Sequence, residues 1–271
     1  MSVDRLCSYF GFTRMPFGRD LAPGQLFHSR AHAEAVARLS WCVAERGLGV
    51  LTGEVGCGKT VAARATVADL DSSRTQVIYC PNPTVGGRGI LSLVVGALGA
   101  TPRFHRSALV PQAADALATA EAERGRRVLL IIDEGHLLDP EQLEDLRMIT
   151  NTEMDSRSPA GLILIGQPTL RRRLHQGTMA ALDQRITLRV QMEGMDLAET
   201  LAYVQHHTTL VGRSDPLFSD DAVAVIAHAG RGLPRAINNL ALQALVATFA
   251  ADKAIVDQGA AKMAVVEVNG E

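Results

Sequence analysis

The sequence lacks an excess of positive charge, paired cysteines and long apolar runs. Its 27 Lys and Arg against 29 Asp and Glu give a net charge of −2, so any DNA contact must come from a local patch. The four cysteines form no CxxC pair, which excludes a zinc knuckle or a redox motif and fits a reducing compartment. Because no window reaches about 18 uninterrupted apolar residues and no secretory signal pattern is present, we expect a soluble, cytoplasmic protein with no membrane partner.

Short apolar runs alternate with segments of helical periodicity over the first 192 residues. The composition, with 47% hydrophobic and 21% charged residues, is that of a globular protein. The apolar runs resemble strands buried on both faces and span 48–52, 75–80, 127–133, 161–166 and 186–192. The helical segments between them span 59–70, 86–98, 111–124 and 140–151. This alternation predicts an α/β core with a parallel sheet covered by helices.

The strand pattern stops after residue 192. Three helices are predicted beyond it, over 196–211, 219–229 and 233–251, with start signals at Asp196, at Ser219 or Asp220, and at Pro234. We therefore expect an α/β core over residues 1–192 and a small helical lid over 193–271.

The strongest signal is a glycine-rich loop between the first predicted strand and the helix after it. It matches the phosphate-binding pattern G-x-x-x-x-G-K-[ST]. Its glycines allow backbone N–H groups to face a phosphate, and the helix N-terminus adds partial positive charge. We expect Lys59 to reach the β- and γ-phosphate oxygens of a nucleotide and Thr60 to hold Mg²⁺. The predicted nucleotide-binding residues are Gly53, Glu54, Val55, Gly56, Cys57, Gly58, Lys59, Thr60 and Val61.

An acidic pair follows the third predicted strand. We expect Asp133 to bind Mg²⁺ and Glu134 to orient or polarise the attacking water, the arrangement that phosphoryl transfer to water requires. His136, two residues further on, is either a catalytic base or a residue that caps or packs against the site.

Three more polar residues are candidates for contact with the transferred phosphate. Gln167 follows the fourth predicted strand and either hydrogen-bonds the γ-phosphate or the water, or is a turn residue before Pro168. Arg185 precedes the last predicted strand and Arg235 opens a predicted helix after it. Each arginine either neutralises phosphate charge or lies on a solvated face.

The series of motifs along the chain resembles that of AAA+ ATPases, and within them the ExeA-like group. That group includes secretion ATPases of the ExeA/GspA type and transposition helpers of the TniB/TnsC type. The resemblance covers nearly the whole chain and rests on YFGF (9–12), GEVGCGKT (53–60), IIDEGHLL (131–138), IGQPTLRRRL (165–174), LDQRI (182–186) and GLPRAINNLA (232–241). It implies a five-stranded parallel sheet of order 5-1-4-3-2 with a helical lid, and ATP and Mg²⁺ as ligands.

The resemblance also implies roles for single residues. Lys59 and Thr60 correspond to Walker A, Asp133 and Glu134 to Walker B, and Gln167 to sensor 1, where other AAA+ proteins commonly have Asn or Thr. Arg185 corresponds to the arginine finger donated to a neighbouring subunit, which implies a homo-oligomeric ring or filament, and Arg235 to sensor 2. The opening aromatic segment either lines an adenine pocket or forms an aromatic cluster that packs against the strand edge.

Three functions follow from this resemblance. The favoured one is a transposition helper that oligomerises on duplex DNA and recruits a transposase; the alternative is an ATPase for assembly of an envelope secretion system. A nucleotide switch without hydrolysis is disfavoured by the intact acidic pair. The arginines that either contact DNA phosphates or lie on solvated or subunit-contact faces are Arg88, Arg103, Arg106, Arg171, Arg172 and Arg173.

Overall fold

The five predicted strands form one parallel sheet. The computed structural model describes residues 2–18, 20–150 and 158–270. The strand order is β2-β3-β4-β1-β5, and every neighbouring pair is parallel. This confirms the expected order 5-1-4-3-2, counted from the opposite edge. The strands are β1 (Leu48–Gly53), β2 (Thr75–Cys80), β3 (Arg127–Ile132), β4 (Ala160–Gly166) and β5 (Ile186–Met192).

Burial along the strands follows their place in the sheet. Every residue of β1 and β4 is buried, as predicted for strands covered on both faces. The same prediction is wrong for β5, in which buried and exposed residues alternate. It is also wrong for β2, which exposes Tyr79 and only partly buries its first three residues. Both are edge strands, so less of their surface is covered by neighbouring elements.

The helices between the strands begin and end close to their predicted positions. Residue 151, the last position of one predicted segment, lies outside the described residues. A larger difference is at α5, which begins at Arg106 rather than at 111 and contains Pro111 in its interior. The helices up to β5 are α1 (Val3–Phe10), α2 (Arg30–Ala44), α3 (Lys59–Ala68), α4 (Gly86–Ala97), α5 (Arg106–Arg124), α6 (Pro140–Ile149), α7 (Pro168–Leu174) and α8 (Ala180–Asp183).

In the described residues after β5 there are four helices, and three of them begin at the predicted signals. The Asp196 and Ser219 side chains accept hydrogen bonds from the first turns of their helices, and Pro234 is the first residue of its helix. The four are α9 (Leu197–Thr209), α10 (Asp220–Gly230), α11 (Pro234–Ala250) and α12 (Gln258–Asn269), the last of which was not predicted. In the described part of the chain, none of the helices combines the length and apolar character needed to cross a bilayer.

The residues cluster by contact into two units. The sheet unit comprises Glu34–Glu54 and Lys59–Met192, and the helical unit comprises Met1–Ala33, Val55–Gly58 and Glu193–Glu271. Each has its own core, largely aliphatic in the sheet unit and containing Phe10, Phe12 and Phe17 in the helical unit. These units share the boundary at residue 192 with the domain division expected from the sequence, but they group residues 1–33 with the C-terminal helices.

The opening aromatic segment packs inside the helical unit. Phe10, Phe12 and Phe17 are buried, and the Tyr9 hydroxyl donates to an Asp252 carboxylate oxygen at 3.1 Å. Phe17 stacks on His207 with the ring centroids 5.1 Å apart. The segment thus forms an aromatic cluster, but with the C-terminal helices of this unit rather than at a strand edge, as that interpretation expected.

Candidate active site

The glycine-rich loop connects the end of β1 to the start of α3. Gly56 and Gly58 have φ of 84° and 99°, a region that favours glycine. The Lys59 ammonium donates to the carbonyl oxygens of Gly53 and Glu54, both at 2.9 Å. The Lys59 side chain is therefore folded back against the first residues of the loop. Its charge lies beside the backbone that would surround a bound phosphate.

Asp133 follows β3 and receives several hydrogen bonds. The Thr60 and Tyr79 hydroxyls donate to its Oδ2 at 2.8 and 3.0 Å, and the Glu134 N–H donates to its Oδ1 at 2.8 Å. Asp133 is buried. Desolvation of the hydroxyl, followed by the charge of Asp133, raises the pKa of Tyr79 to about 12, which keeps this hydroxyl a hydrogen-bond donor at neutral pH although the residue as a whole is exposed. The Thr60 hydroxyl and the Asp133 carboxylate provide adjacent oxygen ligands of the kind that Mg²⁺ prefers.

Glu134 has a different environment from its neighbour Asp133. Its backbone is left-handed, with φ 52°, and its side chain is 50% exposed. Backbone in this region is uncommon for residues other than glycine and costs free energy that the surrounding structure must supply. The two adjacent carboxylates are therefore suited to separate roles: Asp133 is held in place, whereas Glu134 is accessible to water.

The end of β4 lies against the residues that follow Glu134. Gln167 is the residue directly before α7 and makes no side-chain capping hydrogen bond; its backbone nitrogen is 3.5 Å from Nδ1 of His136. A Cβ at Gly166 would lie 2.8 Å from Cδ2 of Leu170 and 3.1 Å from the backbone nitrogen of His136, so both would have to shift to admit a larger residue. His136 is largely buried and its Nδ1 is 3.4 Å from a Glu134 carboxylate oxygen. These contacts match the packing interpretation of His136.

The two arginines assigned to catalysis lie in different units. In the sheet unit, Arg185 is partly buried, and its guanidinium donates to the carbonyl oxygen of Arg147 at 3.3 Å. In the helical unit, the Arg235 backbone N–H donates to the carbonyl oxygen of Gly56 at 3.2 Å. The Arg235 residue is exposed. The finger and sensor roles of these two residues stay predictions.

The arginines assigned to DNA have varied surroundings. The Arg106 guanidinium forms ion pairs with Asp145, at 2.7 Å, and with Glu141. Arg88 lies over the Phe104 ring, 4.9 Å from its centroid. Arg171 donates to the Gln191 side chain and Arg173 to the His136 carbonyl oxygen, while Arg103 and Arg172 are exposed. Arg88, Arg106, Arg171 and Arg173 thus all have acceptors within the sheet unit.

Sequence reasoning missed two residues of the site. Tyr79 reaches Asp133 from the neighbouring strand, and Arg173 holds the backbone of His136 from α7 with a 2.8 Å hydrogen bond. Arg173 was considered only as a DNA contact or as part of a solvated or subunit-contact face. No motif marks either contact, since both depend on how separate elements align.

The sheet order, the loop after β1 and the paired oxygens of Thr60 and Asp133 define a P-loop nucleotide-binding protein of the AAA+ fold. A family model described as an AAA domain matches residues 43–174. The chain is 31% identical over 266 residues to General secretion pathway protein A of Aeromonas hydrophila, an alignment that covers 97% of this chain and 48% of that protein. The chain thus spans about half the length of this curated relative.

Solved structures share the fold at low sequence identity. The Aeropyrum pernix ORC2 protein has a TM-score of 0.67 at 17% identity, over 93% of this chain and 70% of that one. Drosophila ORC bound to DNA has a TM-score of 0.67 at 16% identity, over 93% and 64%. The Thermotoga maritima RuvB branch migration motor has a TM-score of 0.53 at 18% identity, over 87% and 68%. At these identities the likeness shows the fold alone.

The chain is thus similar over residues 43–174 to an AAA domain, and over 266 residues to a secretion-pathway protein. These similarities support the secretion ATPase, stated above as the alternative, better than the transposition helper.

Proposed function

We propose that this chain binds ATP with Mg²⁺ and hydrolyses it. The observation that carries the proposal is the 2.8 Å hydrogen bond between Thr60 and Asp133, which joins the phosphate loop to the acidic strand end. These two residues would hold Mg²⁺, which when bound neutralises phosphate charge and polarises the phosphoryl group. The oxygen donors of both side chains suit this ion.

Each residue of the site has a part in this proposal. Lys59 exchanges its two backbone carbonyl acceptors for phosphate oxygens when a nucleotide enters the loop. Tyr79 holds Asp133 in orientation, and the exposed Glu134 carboxylate takes a proton from the attacking water. Gln167 contacts the γ-phosphate or this water. Arg235 neutralises part of the charge that develops on the phosphate. Arg185 of a neighbouring subunit neutralises the rest.

We further propose that the ATP cycle serves a secretion system, as the name of the Aeromonas relative states for that protein. The chain acts as a homo-oligomer, because an arginine finger completes the site of a neighbouring copy. A cytoplasmic site of action fits the four cysteines, all of which are free thiols.

A chimera tests the secretion role. The half of the Aeromonas protein that aligns with this chain is replaced by residues 1–271, and the chimera is expressed in an Aeromonas strain lacking the protein. We expect release of secreted cargo into the medium to recover. The same chimera carrying Lys59→Ala should not restore release. Equal recovery with both chimeras, or failure of a chimera that is produced and hydrolyses ATP, would contradict the secretion role.

The transposition-helper function stays a prediction with its own test. Duplex DNA binding is measured by fluorescence anisotropy with a non-hydrolysable ATP analogue at several salt concentrations. If about six phosphates are neutralised, affinity should fall with salt with a log–log slope near −5. Because Arg106 is held in ion pairs and Arg103 is exposed, Arg103→Ala should flatten this slope more than Arg106→Ala. No nucleotide-dependent binding at low salt would exclude the helper function.

A further inference from the structure

The imidazole of His136 lies between the Walker B glutamate and the first residue of the segment that follows β4. Its Nδ1 is 3.4 Å from a Glu134 carboxylate oxygen. The same Nδ1 is 3.5 Å from the backbone nitrogen of Gln167, whose N–H is directed at it. The His136 side chain is 12% exposed, so water competes little for this nitrogen.

The two contacts exclude each other. A ring nitrogen of neutral imidazole carries either a hydrogen or a lone pair. The 3.4 Å contact with Glu134 is not yet in hydrogen-bond geometry, but a small rotation of that half-exposed side chain would bring it there. When Nδ1 carries the hydrogen, it donates to the rotated carboxylate and cannot accept from Gln167. When Nδ1 presents its lone pair, it accepts from the Gln167 N–H and no longer holds the carboxylate.

The backbone on both sides of this nitrogen is fixed. Arg173 donates to the His136 carbonyl oxygen at 2.8 Å, and the Leu137 N–H donates to the Glu134 carbonyl oxygen at 2.8 Å. A Cβ at Gly135 would lie 3.2 Å from the Ile165 carbonyl oxygen, so this turn also packs directly on β4. The backbone thus keeps both partners close to Nδ1. A change in which ring nitrogen carries the hydrogen needs no rearrangement of the chain.

We infer that His136 is a positioning residue that couples Glu134 to Gln167 through these two alternative hydrogen bonds. A hydrogen bond to a carboxylate is stronger than one between neutral groups, so the nucleotide-free protein keeps the hydrogen on Nδ1 and holds Glu134. When Glu134 turns to the water, the Nδ1 hydrogen passes to solvent, solvent supplies a hydrogen to Nε2, and the Nδ1 lone pair accepts from the Gln167 N–H instead. This inference rests on the proposed function, in which Glu134 accepts the proton and Gln167 lies beside the phosphate.

The first test reads the tautomer directly and needs no ATP hydrolysis. Nitrogen NMR of ¹⁵N-histidine-labelled protein at about pH 8, where an ordinary imidazole is neutral, shows which ring nitrogen carries the hydrogen. The chain has 8 histidines, and His136→Asn identifies the signal by its loss. We expect the hydrogen on Nδ1 in the wild type and its loss from Nδ1 in Glu134→Ala. Glu45→Ala, at an exposed position, should leave the signal unchanged. The same tautomer in the wild type and Glu134→Ala would overturn the inference.

The second test separates positioning from folding. Asparagine at 136 offers a donor and an acceptor near the position of Nδ1, whereas leucine offers neither. We expect His136→Leu to lower kcat at least about tenfold with KM for ATP nearly unchanged, because a misplaced reacting group costs rate rather than binding. His136→Asn should retain most of the activity.

A double variant completes the test. In a Glu134→Gln background, single-turnover measurements should show no further fall on adding His136→Leu. An undiminished further fall, or equal losses in the asparagine and leucine variants, would overturn the inference. If the wild type hydrolyses no ATP, the proposed function fails, and the tautomer measurement still decides the role of the imidazole.

Discussion

Replacing Gly56 by alanine tests how the phosphate loop is built. Gly56 has φ 84°, and a Cβ there would lie 2.7 Å from Cβ of Arg235. The left-handed backbone costs a residue with a side chain about 1–2 kcal/mol. The close contact adds about 1–3 kcal/mol, because Cβ of Arg235 is fixed to the first turn of α11 and that turn must move. Gly56→Ala should therefore lower the free energy of unfolding by about 2–5 kcal/mol, measured by urea denaturation.

Gly11→Ala is the matched control for this measurement. Gly11 also lies in the helical unit and has φ 72°, but a Cβ there meets nothing within 4 Å. Gly11→Ala should lower the free energy of unfolding only by the cost of the left-handed backbone, about 1–2 kcal/mol. Adding Arg235→Gly, which removes the opposing Cβ, should recover at least about 1 kcal/mol of the Gly56→Ala loss through coupling of the two sites. Equal losses at Gly11 and Gly56, or no coupling with position 235, would refute the reasoning.

Acid stability, assembly and metal loading give further expected results. Burial, followed by the neighbouring His206, lowers the pKa of His207 to about 4, so the unfolded chain binds this proton more readily. About 3 kcal/mol of stability that is present above pH 6.5 should therefore be lost as the pH falls to about 4. The free energy of unfolding, measured with urea at each pH, should depend less on pH in His207→Gln. An unchanged pH dependence in this variant would contradict the role given to His207. Mixing Arg185→Ala with Lys59→Ala protein should restore ATPase activity, since one supplies an intact loop and the other an intact finger; no recovery in co-assembled mixtures would argue against action in trans. Thr60→Val should raise the Mg²⁺ concentration for half-maximal hydrolysis about tenfold or more, whereas Thr60→Ser should not, and equal shifts would remove Thr60 from the metal site.

Local sequence predicts the strands well, because a short apolar run between turn signals is a local property. The alternation in β5 was also visible, since Thr187, Arg189 and Gln191 separate its apolar residues. Treating β5 as buried on both faces ignored this period of two. Its place at an edge depends on the strand order, which came only from the resemblance.

The acidic pair and the phosphate loop could be predicted because each is a short motif at the end of a parallel strand. The contacts that join them to other elements could not. Tyr79 is opposite Ile131 in the β2–β3 register, two residues before Asp133, so its reach depends on strand alignment. The grouping of the opening aromatic residues with the C-terminal helices is likewise a long-range packing outcome that periodicity does not encode.

Comparing nucleotide binding with turnover in two variants tests the central claim, that Lys59 binds the phosphates and Glu134 activates water. Binding of ATP with Mg²⁺ is measured by calorimetry or with a fluorescent analogue, and phosphate release is measured on the same preparations. Glu134→Gln should bind ATP nearly as tightly as the wild type yet hydrolyse it at least about 10²-fold more slowly, because only the proton acceptor is removed. Lys59→Ala should lose affinity itself. Equal loss of binding in both variants, or full turnover by Glu134→Gln, would contradict the account.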